Sequence, residues 1–193
     1  MTYQTYITDA FVCGSRRSNT SDCSYLLFTR ALGMVYASAR SVREERSKQR
    51  FSLQEFSYIR VTLIQGKSEW RITGVEPRSN VFMVQRTREA RAFVRNIALL
   101  LRRIMQGQVA YSDIFDDVEK AFDIPSLGVR NYAYGECALS LRILHTLGYV
   151  TPHPHVSAIL EANGIERAEN IITPEMYTFG LKVISEALSE SHL

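Results

Sequence analysis

No stretch of this chain approaches the roughly 18 to 20 consecutive apolar residues that a membrane span requires. The opening MTYQTYITDAFV also lacks the basic start and apolar core of a secretion signal. Both absences lead to the expectation of a cytoplasmic protein with no membrane partner. Cysteine is scarce: Cys13, Cys23 and Cys137 cannot all pair and form no C-x-x-C, which argues against a disulfide framework and a thiolate zinc site. The chain contains no G-x-x-x-x-G-K-S/T phosphate loop, no G-x-S-x-G elbow and no H-E-x-x-H pair, so nucleotide hydrolysis and the commonest hydrolase chemistries lose their local signatures. The expectation is a binding protein without catalytic residues or cofactor.

Two polar clusters stand against that reading. His145, His153 and His155 with Cys137 would make four nitrogen and sulfur ligands. The prolines around His153 stiffen its loop and no carboxylate lies near in sequence, so no metal is expected. Asp113, Asp116, Asp117 and Glu119 fall at the start of a predicted helix, with Asp113 as its N-cap, where capping and the helix dipole account for carboxylates.

What is present is ordinary globular composition: 193 residues, 46% hydrophobic and 22% charged, enough for one sizeable core or two small ones. The net charge of +3 hides an asymmetry. Residues 1–80 carry +5, residues 81–110 carry +5 and residues 111–193 carry −7. A basic front and an acidic back point to two surfaces with different partners.

The first 76 residues read as β structure. Strands are predicted over Tyr3–Val12, ending at Gly14-Ser15, over Ser24–Thr29, from Gly33 onward, over Ser57–Gln65, and over Glu69–Val75, with Pro77 ending the sheet. Five short strands with turn signals make a small barrel, and among such barrels the OB-fold is the one that binds oligonucleotides on an exposed face. From Val84 the period becomes helical, with Phe93, Val94, Ile97, Leu100, Leu101 and Ile104 on one side. Further helices are predicted over Ile114–Phe122, Asn131–Leu147 with a stop at Gly148, Val156–Ala162 and Pro174–Leu188 behind Thr173, and Gly164–Ile172 reads as a connector. The fold class is therefore α+β, a five-stranded OB barrel over residues 1–80 followed by an all-α domain over 81–193.

Gly33–Phe56, GMVYASARSVREERSKQRFSLQEF, focuses the functional reading. An alternating strand bearing Tyr36 and Arg40 runs into Arg43, Arg46, Lys48 and Arg50, the composition expected where protein meets a phosphate backbone. Phe56, Tyr58 and Arg60 join Tyr36 and Arg40 as candidates for the aromatic and basic face of the barrel, and Arg16 and Arg17 sit in a polar loop that suits phosphate. On the first long helix Arg88, Arg91, Arg95 and Arg102 gather in one arc, either as a solvated face or as an extension of the barrel's basic surface.

The runs TYITDAFVCGSR, YLLFTRALGMVYASARSVR, SKQRFSLQEFSYIRVTLIQGK and EWRITG resemble the N-terminal barrel of the bacterial RecO family, and CALSLRILHTLGY resembles a helix and turn of its helical domain. The resemblance implies a DNA repair and recombination mediator that binds single- and double-stranded DNA and anneals strands. With RecR, it also implies helping RecA replace single-stranded DNA-binding protein. The family's basic stretch falls on Arg40, Arg43, Lys48 and Arg50, while Arg46 follows from charge alone. Many RecO-like chains carry four zinc-binding cysteines after the Leu-Gly-Tyr turn, but Leu147-Gly148-Tyr149 is followed here by VTPHPHVS, and the chain is short for the family. The alternative is a protein-interaction adaptor on an OB-fold that does not bind DNA.

Overall fold

Alternating apolar residues in the first third of the chain become five strands in the computed structural model, which describes residues 4–42, 44, 47, 49–66, 69–123 and 131–190. The strands are β1 (Thr5–Arg17), β2 (Cys23–Thr29), β3 (Gly33–Ala39), β4 (Ser57–Gln65) and β5 (Trp70–Asn80), with a single-turn helix α1 (Gln49–Ser52) between β3 and β4. They close in the order β1-β2-β3-β5-β4, which is the OB arrangement. All neighbours are antiparallel except β3 and β5, which run parallel through Ala37 opposite Trp70 and Ser38 opposite Arg71.

Alternate residues fill the barrel. Ala10, Val12, Leu27, Val35, Ala37, Ile59, Val61, Leu63 and Ile72 point inward, and Val42 and Leu53 from the β3–β4 connection join the same cluster. Each Val, Leu or Ile side chain so enclosed stabilises the fold by about 1.5 to 3 kcal/mol. Gly33 sits at φ +68° under the carbonyl of Val109, where an added Cβ would fall 2.1 Å from the oxygen, so only glycine fits.

Two strand boundaries differ from the sequence expectation. Strand β1 does not end at Gly14-Ser15 but runs on to Arg17, because a bulge between Val12 and Gly14 bends it so that it pairs with β4 and then β2. Pro77 does not end the sheet. It lies inside β5 opposite Ile59, next to a register shift, in the half of the strand whose only ladder partner is β4. Proline, lacking an N–H, is tolerated at such edges and bulges.

The helices are α2 (Arg88–Ile104), α3 (Ser112–Phe122), α4 (Tyr132–Thr146), α5 (Ser157–Leu160), α6 (Ile165–Asn170) and α7 (Pro174–Glu190). Helix α4 is the hub, packing against α2, α5, α6 and α7. Its ends follow from sequence: Asn131 accepts the Tyr134 N–H, and Gly148 at φ +82° lets the N–H groups of Gly148 and Tyr149 reach the carbonyls of His145 and Leu144. Helix α3 begins at Ser112, so Asp113 lies within its first turn rather than capping it. The connector reading of Gly164–Ile172 is overturned by α6, whose N-cap Gly164 makes no side-chain hydrogen bond and so left no capping signal. By contacts the chain divides into one unit of Met1–Val84 with Met105–Ser112 and another of Gln85–Ile104 with Asp113–Leu193, which places 105–112 with the barrel.

Arg142 ties the helical unit together. Its Nε donates to Asp117 Oδ2 at 2.6 Å, and Nη1 donates to the carbonyls of Ile159, Leu160 and Ala162 at 3.2, 3.2 and 2.8 Å. The ion pair is largely enclosed, with side-chain exposures of 17% and 11%. Arg142→Met is expected to lower unfolding free energy in urea by about 3 to 5 kcal/mol, because it strands a carboxylate and three carbonyls. The double variant Asp117→Ala/Arg142→Met should recover part of that loss. A loss below about 1 kcal/mol for the single variant would contradict the assignment.

Candidate nucleic-acid interface

The register of the barrel decides which polar side chains share a surface. Arg16 stands opposite Ser24, Ser24 opposite Ser38, and Ser38 opposite Arg71, so β1, β2, β3 and β5 contribute one row. With strands about 4.8 Å apart, the two arginines are separated by roughly 14 Å of sheet. Tyr36, two residues along β3 from Ser38, is 68% exposed. The Ser38 hydroxyl donates to the Trp70 carbonyl at 3.3 Å, which ties the row together where β3 meets β5.

The end of this face is braced by a carboxylate. Asn19 Oδ1 accepts the N–H groups of Ser21 and Asp22 at 3.0 and 2.7 Å, folding the β1–β2 loop on itself. Asp22 Oδ1 then accepts the N–H of Ser41 at 2.8 Å. Ser41 has φ +50°, a conformation rare outside glycine, and the bond fixes it just after the exposed Arg40. The β1–β2 loop that follows Arg17 and the turn at Ser41 after β3 are thus held against each other. Hydrogen bonds from the Ser41 N–H and from Asn19, aided by the charge of Arg40, hold the Asp22 carboxyl below its ordinary value.

The proposed contacts do not all gather here. Arg16, Arg17, Tyr36 and Arg40 lie at this face or its end, and all four are exposed. Arg50 is exposed on α1, its guanidinium 4.9 Å from the ring centre of Phe51. Arg43, Arg46 and Lys48 lie outside the described residues. Arg60 stands on β4 between Asp9 and Glu76 in register, across the barrel from β2 and β3, with carboxylates on both sides. Tyr58 is half-buried and stacked on Phe11 at 4.8 Å. Phe56, at φ +66°, stacks on Phe82 at 5.0 Å and is bridged by backbone hydrogen bonds to Val12 and Val81, so it serves as a joint of the barrel. Arg71 joins the candidate row although sequence reasoning does not single it out. Its signal lay in the OB topology, which sets the start of β5 beside the end of β3.

In the helical unit Arg88, Arg91, Arg95 and Arg102 are all exposed on α2. Arg91 Nε donates to the Gln85 carbonyl at 3.1 Å, and Arg95 lies beside Asn96, whose Nδ2 binds both oxygens of Glu136 at 3.1 and 3.0 Å. Burial raises the Glu136 carboxyl above its ordinary value, opposed by Asn96 and the charge of Arg95. Arg103 Nη2 donates to the Leu188 carbonyl at 2.6 Å, closing α2 onto α7. The histidines do not converge as ligands. His153 and His155 stack on each other at 5.3 Å and on Phe179 at 4.5 and 5.1 Å, while His145 Nδ1 bonds the Val150 carbonyl. Among the described residues no group of three or more His, Cys, Asp or Glu side chains is placed to hold a metal. No described helix is long and apolar enough to cross a membrane.

A closed OB barrel with a basic, aromatic face across β1, β2, β3 and β5 defines the N-terminal unit as one of the oligonucleotide-binding class of folds. Residues 1–81 match the family model described as "Recombination protein O N terminal". Over 75 residues the chain is 39% identical to the DNA repair protein RecO of Desulfitobacterium hafniense, covering 39% of this chain and 28% of that one. It is 30% identical over 71 residues to the DNA repair protein RecO of Alkaliphilus metalliredigens, covering 37% and 29%. Residues 1–81 are thus similar to the N-terminal part of the RecO family, and the match spans under a third of the length of these curated relatives.

The Asp22 brace has a pH signature. A carboxyl held below its unfolded value of about 3.9 stabilises the fold fully above that pH, and the contribution disappears as pH falls through the folded value. The gap in melting temperature between the wild type and Asp22→Asn is therefore expected to be full at about pH 6 to 7 and to close below about pH 4. A gap that persists unchanged at about pH 3 would assign the effect to something other than the carboxylate charge.

Proposed function

We propose that this protein is a DNA-binding recombination mediator for DNA repair. It binds and anneals single-stranded DNA on the barrel, also contacts duplex, and acts with RecR to load RecA onto DNA coated by single-stranded DNA-binding protein. It does so in the cytoplasm without a catalytic step. The observation that carries this reading is the cross-strand row Arg16, Ser24, Ser38 and Arg71 beside the exposed ring of Tyr36. Arginine and serine donors at sheet spacing suit successive phosphates, and an open aromatic face suits a base, whatever its sequence. The relatives' description as DNA repair proteins supports the same biology.

The helical unit is assigned the protein partners. Its segment after residue 110 carries −7, which disfavours a polyanion and favours a protein surface. The arginine stripe of α2 is assigned the secondary DNA contact.

Titration of a labelled single-stranded oligonucleotide at rising salt tests the proposal. Affinity should fall linearly on log axes, and the combined variant Arg16→Ala/Arg40→Ala/Arg71→Ala should reduce the slope by about 2, at roughly 0.7 per lost phosphate contact. Binding that is absent at about 50 mM salt, or that ignores salt, would favour an adaptor that does not bind DNA. Recovery of RecR or single-stranded DNA-binding protein by such a variant would then identify the adaptor.

A further inference from the structure

The connection between β3 and β4 leaves an apolar ring in the open without an evident packing reason. Val42 and Leu53, at its two ends, are buried in the barrel core at 1% and 3% exposure. Phe51, only two residues before Leu53, is 65% exposed. A chain that places Leu53 inside has anchored this turn already, and the Leu53 N–H closes it on the Gln49 carbonyl at 2.9 Å. Phe51 therefore contributes little to holding the turn, and exposing it forgoes the stabilisation its burial would give. Apart from Tyr36, no described aromatic ring is as open to solvent, and both belong to the barrel unit.

The ring is not bare. The Arg50 guanidinium lies 4.9 Å from its centroid, a cation over an aromatic face. This couple presents a flat apolar surface and a phosphate-seeking cation from adjacent residues, on a turn whose backbone is fixed. A nucleotide has the matching parts, a flat base and a charged phosphate about one residue's reach apart. Unpaired bases offer such a face, whereas bases stacked inside a duplex do not.

We propose that Phe51 is a base-stacking platform for single-stranded DNA, with Arg50 as its phosphate-binding and ring-orienting partner, so that Tyr36 and Phe51 hold two unpaired bases of the bound strand. The inference rests on the reading of the barrel as a DNA-binding domain, and it adds a residue that makes the site prefer unpaired over paired DNA. Arg50 serves both as a cation for the backbone and as a lid that keeps the ring from turning inward.

The test compares the full chain with Phe51→Ala, Phe51→Trp and Arg50→Ala, each titrated with three probes of equal length: an oligothymidylate, an abasic deoxyribose-phosphate strand, and a duplex. Phe51→Ala is expected to weaken oligothymidylate binding by about 5- to 150-fold, equivalent to roughly 1 to 3 kcal/mol at 1.4 kcal/mol per tenfold. Binding of the abasic strand and the duplex should change by less than about twofold, the salt slope should be unaltered, and Phe51→Trp should keep wild-type affinity for oligothymidylate. Arg50→Ala should lower the salt slope on all three probes by a fraction of a charge up to about one. Equal binding of oligothymidylate by Phe51→Ala and the wild type would overturn the platform. So would an equal loss on all three probes, which marks a folding defect or a general contact. A wild-type protein that binds none of the probes would instead overturn the DNA-binding reading itself, and circular dichroism melting of Phe51→Ala separates instability from lost stacking.

Discussion

Everything on the barrel's outer face depends on a short parallel contact, in which Ala37 and Ser38 of β3 meet Trp70 and Arg71 of β5. Without it the sheet would be an open five-stranded ribbon with edges at β3 and β5. With it the barrel closes, and closure fixes the register of every strand to its neighbours. A slip of one residue would turn Ala37 and Trp70 outward and Ser38 and Arg71 inward, because side chains alternate with period two. The inward set Val35, Ala37 and Ile72 and the outward set Tyr36, Ser38 and Arg71 are therefore two consequences of one pairing. The core supplies the energy that holds the register, and the register supplies the geometry of the site.

Charge then sorts the outer surface. Arg16 and Arg71 share a row with two serines and have one carboxylate beside them, Glu69, whose Oε1 lies 3.7 Å from Arg71 Nε, whereas Arg60 has Asp9 and Glu76 as its cross-strand neighbours. Two arginines against one carboxylate leave positive charge in excess for a polyanion, whereas one arginine between two carboxylates does not. Asp22 is acidic yet belongs to the basic end, because its charge is spent on the Ser41 N–H and Asn19. It draws the loop that follows Arg17 toward the turn that follows Arg40. In the helical unit, by contrast, Arg142 is turned inward to Asp117 and three carbonyls.

How much of this the sequence foretold depends on the range of the interaction. Local signals were legible: β4 was bounded correctly, Asn131 and Gly148 marked the ends of α4, and Thr173 before Pro174 marked the start of α7. Pro77 misled because a bulge beside it and an unpaired edge remove the cost of its missing N–H. Helix α6 was invisible because it is six residues long and starts at an uncapped glycine. The site was half legible. Tyr36 and Arg40 stand out by alternation along the sequence, but the row that joins Arg16 to Arg71, and the pairing of Arg60 with two carboxylates, exist only across strands. Phe51 lay in a basic run that reads as loop, and its exposure becomes informative only once Leu53 is known to be buried.

Photo-crosslinking of the full chain to a single-stranded oligonucleotide carrying 5-iodouracil at each position, followed by mass spectrometry of the peptides, tests the central claim most directly. The account predicts crosslinks in the peptides containing Tyr36 and Phe51. Crosslinks confined to β4 around Tyr58 and Arg60, or to α7, with none on β3 or α1, would contradict it.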